Sequence, residues 1–145
     1  MTSITENSVG EILYSTQKQI CQIENNVAIE IQLDSLKGKN LNGIRLFGNQ
    51  MWVMTKENGV YIFSKEKDGY RLLVTISMVY GLRGNNIKDI EVDCHNRYWI
   101  GHEKGIDVVK LDKVVEIVPM VVDIDIPLDL VVEIESGSDC EMWFA

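Results

Sequence analysis

Apolar and polar positions along the chain change over in short bursts. Segments rich in Val, Ile, Leu, Tyr and Trp recur between clusters of Gly, Asn, Asp and Ser, and none sustains a helical period over ten or more residues. EILYST, AIEIQL, GIRLF, MWVMT, GVYIFS, YRLLVTI, IKDIEV, RYWIGH, IDVVKL, VVEIV, LVVEIE and EMWFA all read as strands. The pattern predicts an all-β chain.

The strands repeat as a set. Leu13, Trp52, Trp99 and Trp143 each begin a strand, and Thr16, Thr55 and His102 follow three places after the first three of these anchors. A few polar residues come next, then a second strand, opened by Gly59-Val60 in one copy and Gly105-Ile106 in another. The residues before the tryptophan anchors repeat too: NGIRLFGNQMW, IKDIEVDCHNRYW and DLVVEIESGSDCEMW each read as a strand, a tight polar turn and a strand entering the aromatic. Gly48-Asn49, His95-Asn96 and Gly137-Ser138 fall in those turns, where residues tolerating positive φ let two hairpin strands twist correctly. A third apolar strand after each second one (AIEIQL, RLLVTI, VVEIV) makes the unit four antiparallel strands. Anchor spacings of 39, 47 and 44 residues match β-propeller blades, for which ~40–50 residues is typical. A sandwich of hairpins also yields many short strands, but it does not account for the repeated anchors. The expectation is about 3.5 four-stranded blades, with the recurring tryptophans packing between blades. Such a chain is either an incomplete ring or half of a dimeric propeller, with the C-terminal strands sharing a blade with a partner's N-terminal strands.

Composition narrows the function. The 145 residues suit a single domain, 1–145, and 14 Lys plus Arg against 22 Asp plus Glu leave a formal charge of -8. That field disfavours nucleic acid and anionic membrane surfaces as partners. The opening MTSITENSVGEILYS has neither a basic nor an apolar leader region, and no apolar run approaches the ~18 residues of a membrane span. As written, the chain reads as soluble and unexported. Cys21, Cys94 and Cys140 are widely spaced and odd in number, which predicts free thiols rather than a disulfide framework or a metal knuckle.

Candidate chemistry is sparse. No nucleophile elbow, phosphate loop, dinucleotide fingerprint or zinc-protease motif is present, so no catalytic residue, cofactor or metal is expected. His95, next to Cys94 in the turn CHN, reads as a polar turn residue, because adjacent side chains in a turn point apart. Asp123, Asp125 and Asp129 lack the ligand ladder of a calcium loop and read as a solvated segment. His102 stands where other copies have threonine, as a cap on the bend or as a ligand contact. The best binding candidates are Tyr80, Arg83, Asn85, Asn86 and His102: an aromatic face, a planar donor fork, two amides and an imidazole, on two bends expected to share one end of the blades.

The stretch GLRGNNIKDIEVDCHNRYWIGHEKGIDVVKLD, Gly81 to Asp112, resembles the two-component regulator propeller repeat. The repeat's opening loop falls on Gly81-Leu82 with Asn85 and Asn86, its inner strand on Ile87 to Asp93, its turn on His95-Asn96, its W-I-G on Trp99-Ile100-Gly101 and its second strand on Gly105-Ile106; His102 replaces its threonine. Trp52 to Phe63 keeps Thr55 and Gly59, and Met142 to Ala145 looks like the start of another copy. The resemblance implies a non-catalytic sensory module, the extracytoplasmic part of a bacterial hybrid histidine kinase, binding a small polar ligand such as a glycan. A self-assembling scaffold or lectin-like interaction module is the alternative.

Overall fold

The computed structural model describes residues 3–7, 9–111, 115–119 and 133–145. They form three four-stranded antiparallel sheets and one two-stranded sheet, each meandering in chain order, and contain no α-helix. The first sheet holds β1 (Ser3–Glu6), β2 (Ile12–Ser15), β3 (Ile20–Glu24) and β4 (Val27–Glu30). The second holds β5 (Leu41–Phe47), β6 (Gln50–Thr55), β7 (Val60–Glu66) and β8 (Gly69–Ile76). The third holds β9 (Ile87–Val92), β10 (Arg97–His102), β11 (Gly105–Leu111) and β12 (Val115–Pro119), and the last pairs β13 (Ile134–Ser136) with β14 (Met142–Phe144). The four anchors all lie on second strands, β2, β6, β10 and β14. The sheets are the blades that the 39–47-residue spacing predicts. β1, which the apolar pattern does not reveal, is a short strand of mixed polarity that completes the first blade.

First strands β1, β5, β9 and β13 lie side by side, so they are the inner edges of successive blades. Outer strands are the more exposed: β4 is exposed throughout, and β8 leaves Leu72 and Leu73 in solvent. Leu73 sits at an irregularity in the pairing of β7 with β8, and bulges of this kind blunt an edge against further pairing. The apolar run RLLVTI is therefore only partly covered. Only Val74 and Ile76 turn inward.

Between blades, period-2 alternation sends one set of side chains to each neighbour. Leu13 and Ile20 pack against Ile44, Met51, Val53 and Phe63 of the second blade. From that blade's other face Trp52, Met54 and Ile62 meet Ile87, Ile90, Ile100 and Val109 of the third. Trp99, Ile106 and Val108 then pack against Ile134, with Met142 alongside. Trp52 and Trp99 are thus inter-blade packing residues, whereas Trp143, on the last strand, is 63% exposed. Trp52 is fully buried and stacks on Tyr98 with ring centroids 4.2 Å apart, while Trp99 meets Phe144 at 5.6 Å. Each such burial contributes about 2–3 kcal/mol. Asp89 on β9 ties three blades together: Arg45 of β5 donates to its Oδ1 at 2.6 Å and the Ile134 amide donates to its Oδ2 at 2.9 Å.

Two expectations are corrected. A shared blade with a second copy needs N-terminal strands left unmatched, yet β1 and β2 are the first half of a complete four-stranded sheet. The cysteines are not all free: Cys94 and Cys140 form a disulfide, with Cα atoms 5.2 Å apart at a sequence separation of 46, and only Cys21 remains a thiol, buried in the first blade. Chain spacing concealed the pair because the repeat itself brings the two turns together. Each follows the first strand of its blade, and adjacent blades stack those turns. The turns also differ in detail. Gly48 and Asn96 carry the positive φ expected of them, whereas in the last blade that role moves from Gly137 to Asp139 and Cys140.

Candidate functional site

Meandering blades have two ends. The bends joining second to third strands share one end with the loops that lead into the next blade, so bends 16–19, 56–59 and 103–104 and loops 31–40 and 77–86 form one surface. It is braced between blades. Leu41 N donates to Gln17 O, Lys56 N to Asn40 O, and Gly59 N to Asn85 O, at 2.9, 2.9 and 3.0 Å. Asn42 occupies a bulge at the start of β5, and its side-chain amide donates to Asn86 Oδ1 at 2.9 Å and Ile87 O at 2.7 Å. The result is a rigid set of loops on a packed scaffold, the arrangement on which recognition commonly sits.

His102 is the clearest case of local chemistry. In the first two blades a threonine caps the bend: Thr16 Oγ1 accepts the Lys18 and Gln19 amides, and Thr55 Oγ1 accepts the Asn58 amide while donating to Gly59 O. In the third blade His102 Nδ1 accepts the Lys104 amide at 3.1 Å, leaving Nε2 to donate to Asp107 Oδ2 at 2.9 Å. The ring is fully buried. Direct ligand contact by His102 is therefore corrected to a supporting position: both nitrogens are occupied beneath the surface, and the residue does the threonine's work with a longer reach.

Arg83 is also engaged within the protein, with its side chain 40% exposed. Its Nε donates to Asp107 Oδ1 at 2.7 Å, its backbone amide to Asp107 Oδ2 at 2.9 Å, and its Nη2 to Ile106 O. Asp107 is itself completely buried. Burial alone would raise its pKa, but His102 and Arg83 outweigh that and hold the carboxyl below the usual range. The fork that looked suited to a ligand clamps the loop to the third blade. Asn85 Oδ1 accepts the Met78 amide, and the Asn86 amide donates to Glu103 Oε2, so both asparagines shape the loop as well. Tyr80 alone of the five candidates is well exposed, at 64%, on a short 3-10 turn, Met78–Tyr80, beside exposed Met78 and Val79. The two bends do share an end of the blades, and Asn86, Glu103 and Gly84 meet there.

Pattern reading missed the concave part of this surface. Between the first bend and loop 31–40 lies a cleft of ≈350 Å³, walled by Lys18, Lys37, Glu30 and Asp34, with Gln19 and Gln32 beside them and Ile20, Leu36 and Leu41 as an apolar floor. Its size falls within the range of small-molecule sites. Nothing in the local sequence marks these residues, because the cleft arises where one blade's outer strand hands over to the next blade's inner strand. Asp123, Asp125 and Asp129 lie outside the described residues.

At the opposite end, Asp93 organises the turn after β9. Its Oδ1 accepts the His95 and Arg97 amides, and its Oδ2 accepts Arg97 Nε and the Trp99 indole, all between 2.7 and 2.9 Å. Burial would raise the carboxyl's pKa, but the Trp99 and Arg97 hydrogen bonds dominate and bring it down from 3.8 to about 2. A carboxyl depressed in the folded state stabilises the fold above its unfolded pKa and loses that contribution as pH falls through the folded value. Between about pH 4 and pH 2 the protein should lose about 2 kcal/mol through this group. Acid titration of Asp93→Asn should lack that step; an unchanged acid profile would refute the assignment.

No family model matches the chain, and no curated protein matches it. Among solved structures it is similar to the extracellular domain of BT4673 from B. thetaiotaomicron, seen in two crystal structures. One, described as a one-component system, aligns with a TM-score of 0.80 at 18% identity over 99% of this chain. The other, described as a hybrid two-component system, aligns with a TM-score of 0.78 at 19% identity over 98% of this chain. This chain spans 21% of the length of each. The fold is that of successive propeller blades.

Proposed function

We propose that this chain is a sensory segment of a β-propeller, akin to the propeller region of two-component regulators, which binds a small polar ligand and does not catalyse a reaction on it. The observation that carries the reading is the cleft of ≈350 Å³ on the braced loop end. Cationic, anionic and amide groups around an apolar floor suit a polyol such as a neutral oligosaccharide, whose rings cover carbon while their hydroxyls pair around the rim. The formal charge of -8 argues against polyanionic sugars. The likeness to extracellular domains and the Cys94–Cys140 disulfide both favour an oxidising, extracytoplasmic setting. Among the described residues no helix is long and apolar enough to cross a membrane.

Thermal-shift screening against neutral oligosaccharides tests the reading. A ligand at 100 times its Kd should raise the melting temperature by on the order of 5–10 °C. Gln32→Ala and Lys37→Ala should abolish the shift while leaving the melting of the free protein unchanged. Arg83→Ala is no test, since it removes a buried carboxylate's partner and lowers stability by itself. A shift lost in Tyr80→Ala but kept in Gln32→Ala would move the site to the Tyr80 surface. No shift with any sugar would defeat the glycan reading.

A further inference from the structure

The end of the blades opposite the cleft holds three groups that the proposed binding role does not use. Cys94 Sγ, Cys140 Sγ and a ring nitrogen of His95 all lie within 4.8 Å of one another, and all three residues are exposed. This differs from the expectation that neighbouring Cys94 and His95 point apart: Asp93 accepts the His95 amide, curls the turn, and brings the imidazole back toward the sulfurs. Two cysteines and one histidine are a donor set for Zn²⁺ or a similar thiophilic ion, at ~2.3 Å to sulfur and ~2.0 Å to nitrogen, with a fourth position left for water.

We propose that Cys94, Cys140 and His95 form a redox-gated metal site, in which the disulfide and the bound ion are mutually exclusive states of one cluster. Oxidised, the two sulfurs bond each other and staple the third blade to the fourth. Reduction proceeds by thiol–disulfide exchange with a dithiol. Its thiolate attacks one protein sulfur and displaces the other as a thiolate, giving a mixed disulfide; its second thiolate then attacks the reductant's own sulfur in that mixed disulfide and displaces the protein sulfur still held there. Two electrons pass to the protein and the reductant leaves as a disulfide. The two protein thiols lose their protons to solvent as they bind the ion, and His95 supplies the third ligand.

Two observations favour a bond that opens. The disulfide is exposed, and exposed disulfides are the reducible ones. Asp139 and Cys140 are consecutive non-glycine residues in the left-handed region, at φ 59° and 65°. The tight turn between β13 and β14 demands that conformation, which costs non-glycine residues energy and places Cys140 on a segment that opens readily. The Cα atoms, 5.2 Å apart, are close enough for both thiolates to reach one ion.

Cobalt(II) alone is the probe. The full chain, reduced with a dithiol that is then removed without air, should bind one Co²⁺ and show thiolate-to-cobalt charge-transfer absorption, whereas the oxidised chain should show none. His95→Ala should weaken binding at least about tenfold, and Cys21→Ser should leave the band intact. The proposal is overturned if the reduced chain gives no such band, if His95→Ala binds equally well, if Cys21→Ser removes the band, or if circular dichroism shows the reduced chain unfolded. None of these outcomes bears on sugar binding at the other end.

Discussion

Replacing Asp107 with alanine should destabilise the protein by about 3–5 kcal/mol, the loss expected when one member of a buried charge cluster is removed and its partners remain. Asp107 has no exposed surface and accepts from His102 Nε2, Arg83 Nε and the Arg83 amide. Without it, a fully buried imidazole loses the acceptor of its Nε2, Arg83 loses those of its Nε and amide, and loop 77–86 loses two of its hydrogen bonds to the third blade. Small domains are stable by only about 5–15 kcal/mol, so the variant should unfold at a much lower urea concentration. Asp107→Asn keeps the shape and one acceptor and should fall between. A loss below about 1 kcal/mol for the alanine variant would mean that the cluster does not hold this end together.

Opening the disulfide should have the next largest effect. It closes a loop of 46 residues, for which chain entropy gives about 4 kcal/mol. Cys140→Ser should therefore melt well below the parent chain. The loss should fall on the last hairpin, whose contacts outside its own pair are mainly the Trp99, Ile106 and Val108 cluster and the Asp89 hydrogen bond. Limited proteolysis should cut near the 137–141 turn first in the reduced protein. An equal melting temperature with and without reductant would count against a structural role for the bond. Added Zn²⁺ should return part of the lost stability to the reduced parent and none to Cys140→Ser.

Most of the fold was legible because the repeat is written in large apolar residues. Leu13, Trp52 and Trp99 fill the space between sheets, so large apolar anchors recur in register and the spacing announces the blade. β1 was not legible: SITE carries one large apolar residue, Ile4, which lies on the exposed face, and the strand is recognisable only by its pairing with β2. The loop candidates show a different limit. Tyr80, Arg83, Asn85, Asn86 and His102 were grouped at one end of the blades, where the structure puts them, yet donor groups suited to a ligand serve equally well for a buried Asp107. Nothing local in HEKGID reveals that the carboxylate five residues after His102 faces inward.

The sequence by itself determined the strands other than β1, their grouping into repeated blades and most of the residues between blades, because period-2 alternation and tight turns are local and the repeat makes them self-consistent. It also determined that bends and loops alternate between two ends, since antiparallel connection allows nothing else. Only the tertiary structure decided which polar groups those ends leave available. Stacking the blades placed Asp107 under Arg83 and His102, opened the cleft between Lys18 and Lys37, and brought Cys140 to Cys94 across 46 residues. Each is a contact between neighbouring blades, or between a blade and the loop that enters it, and such contacts depend on how successive sheets are set against one another.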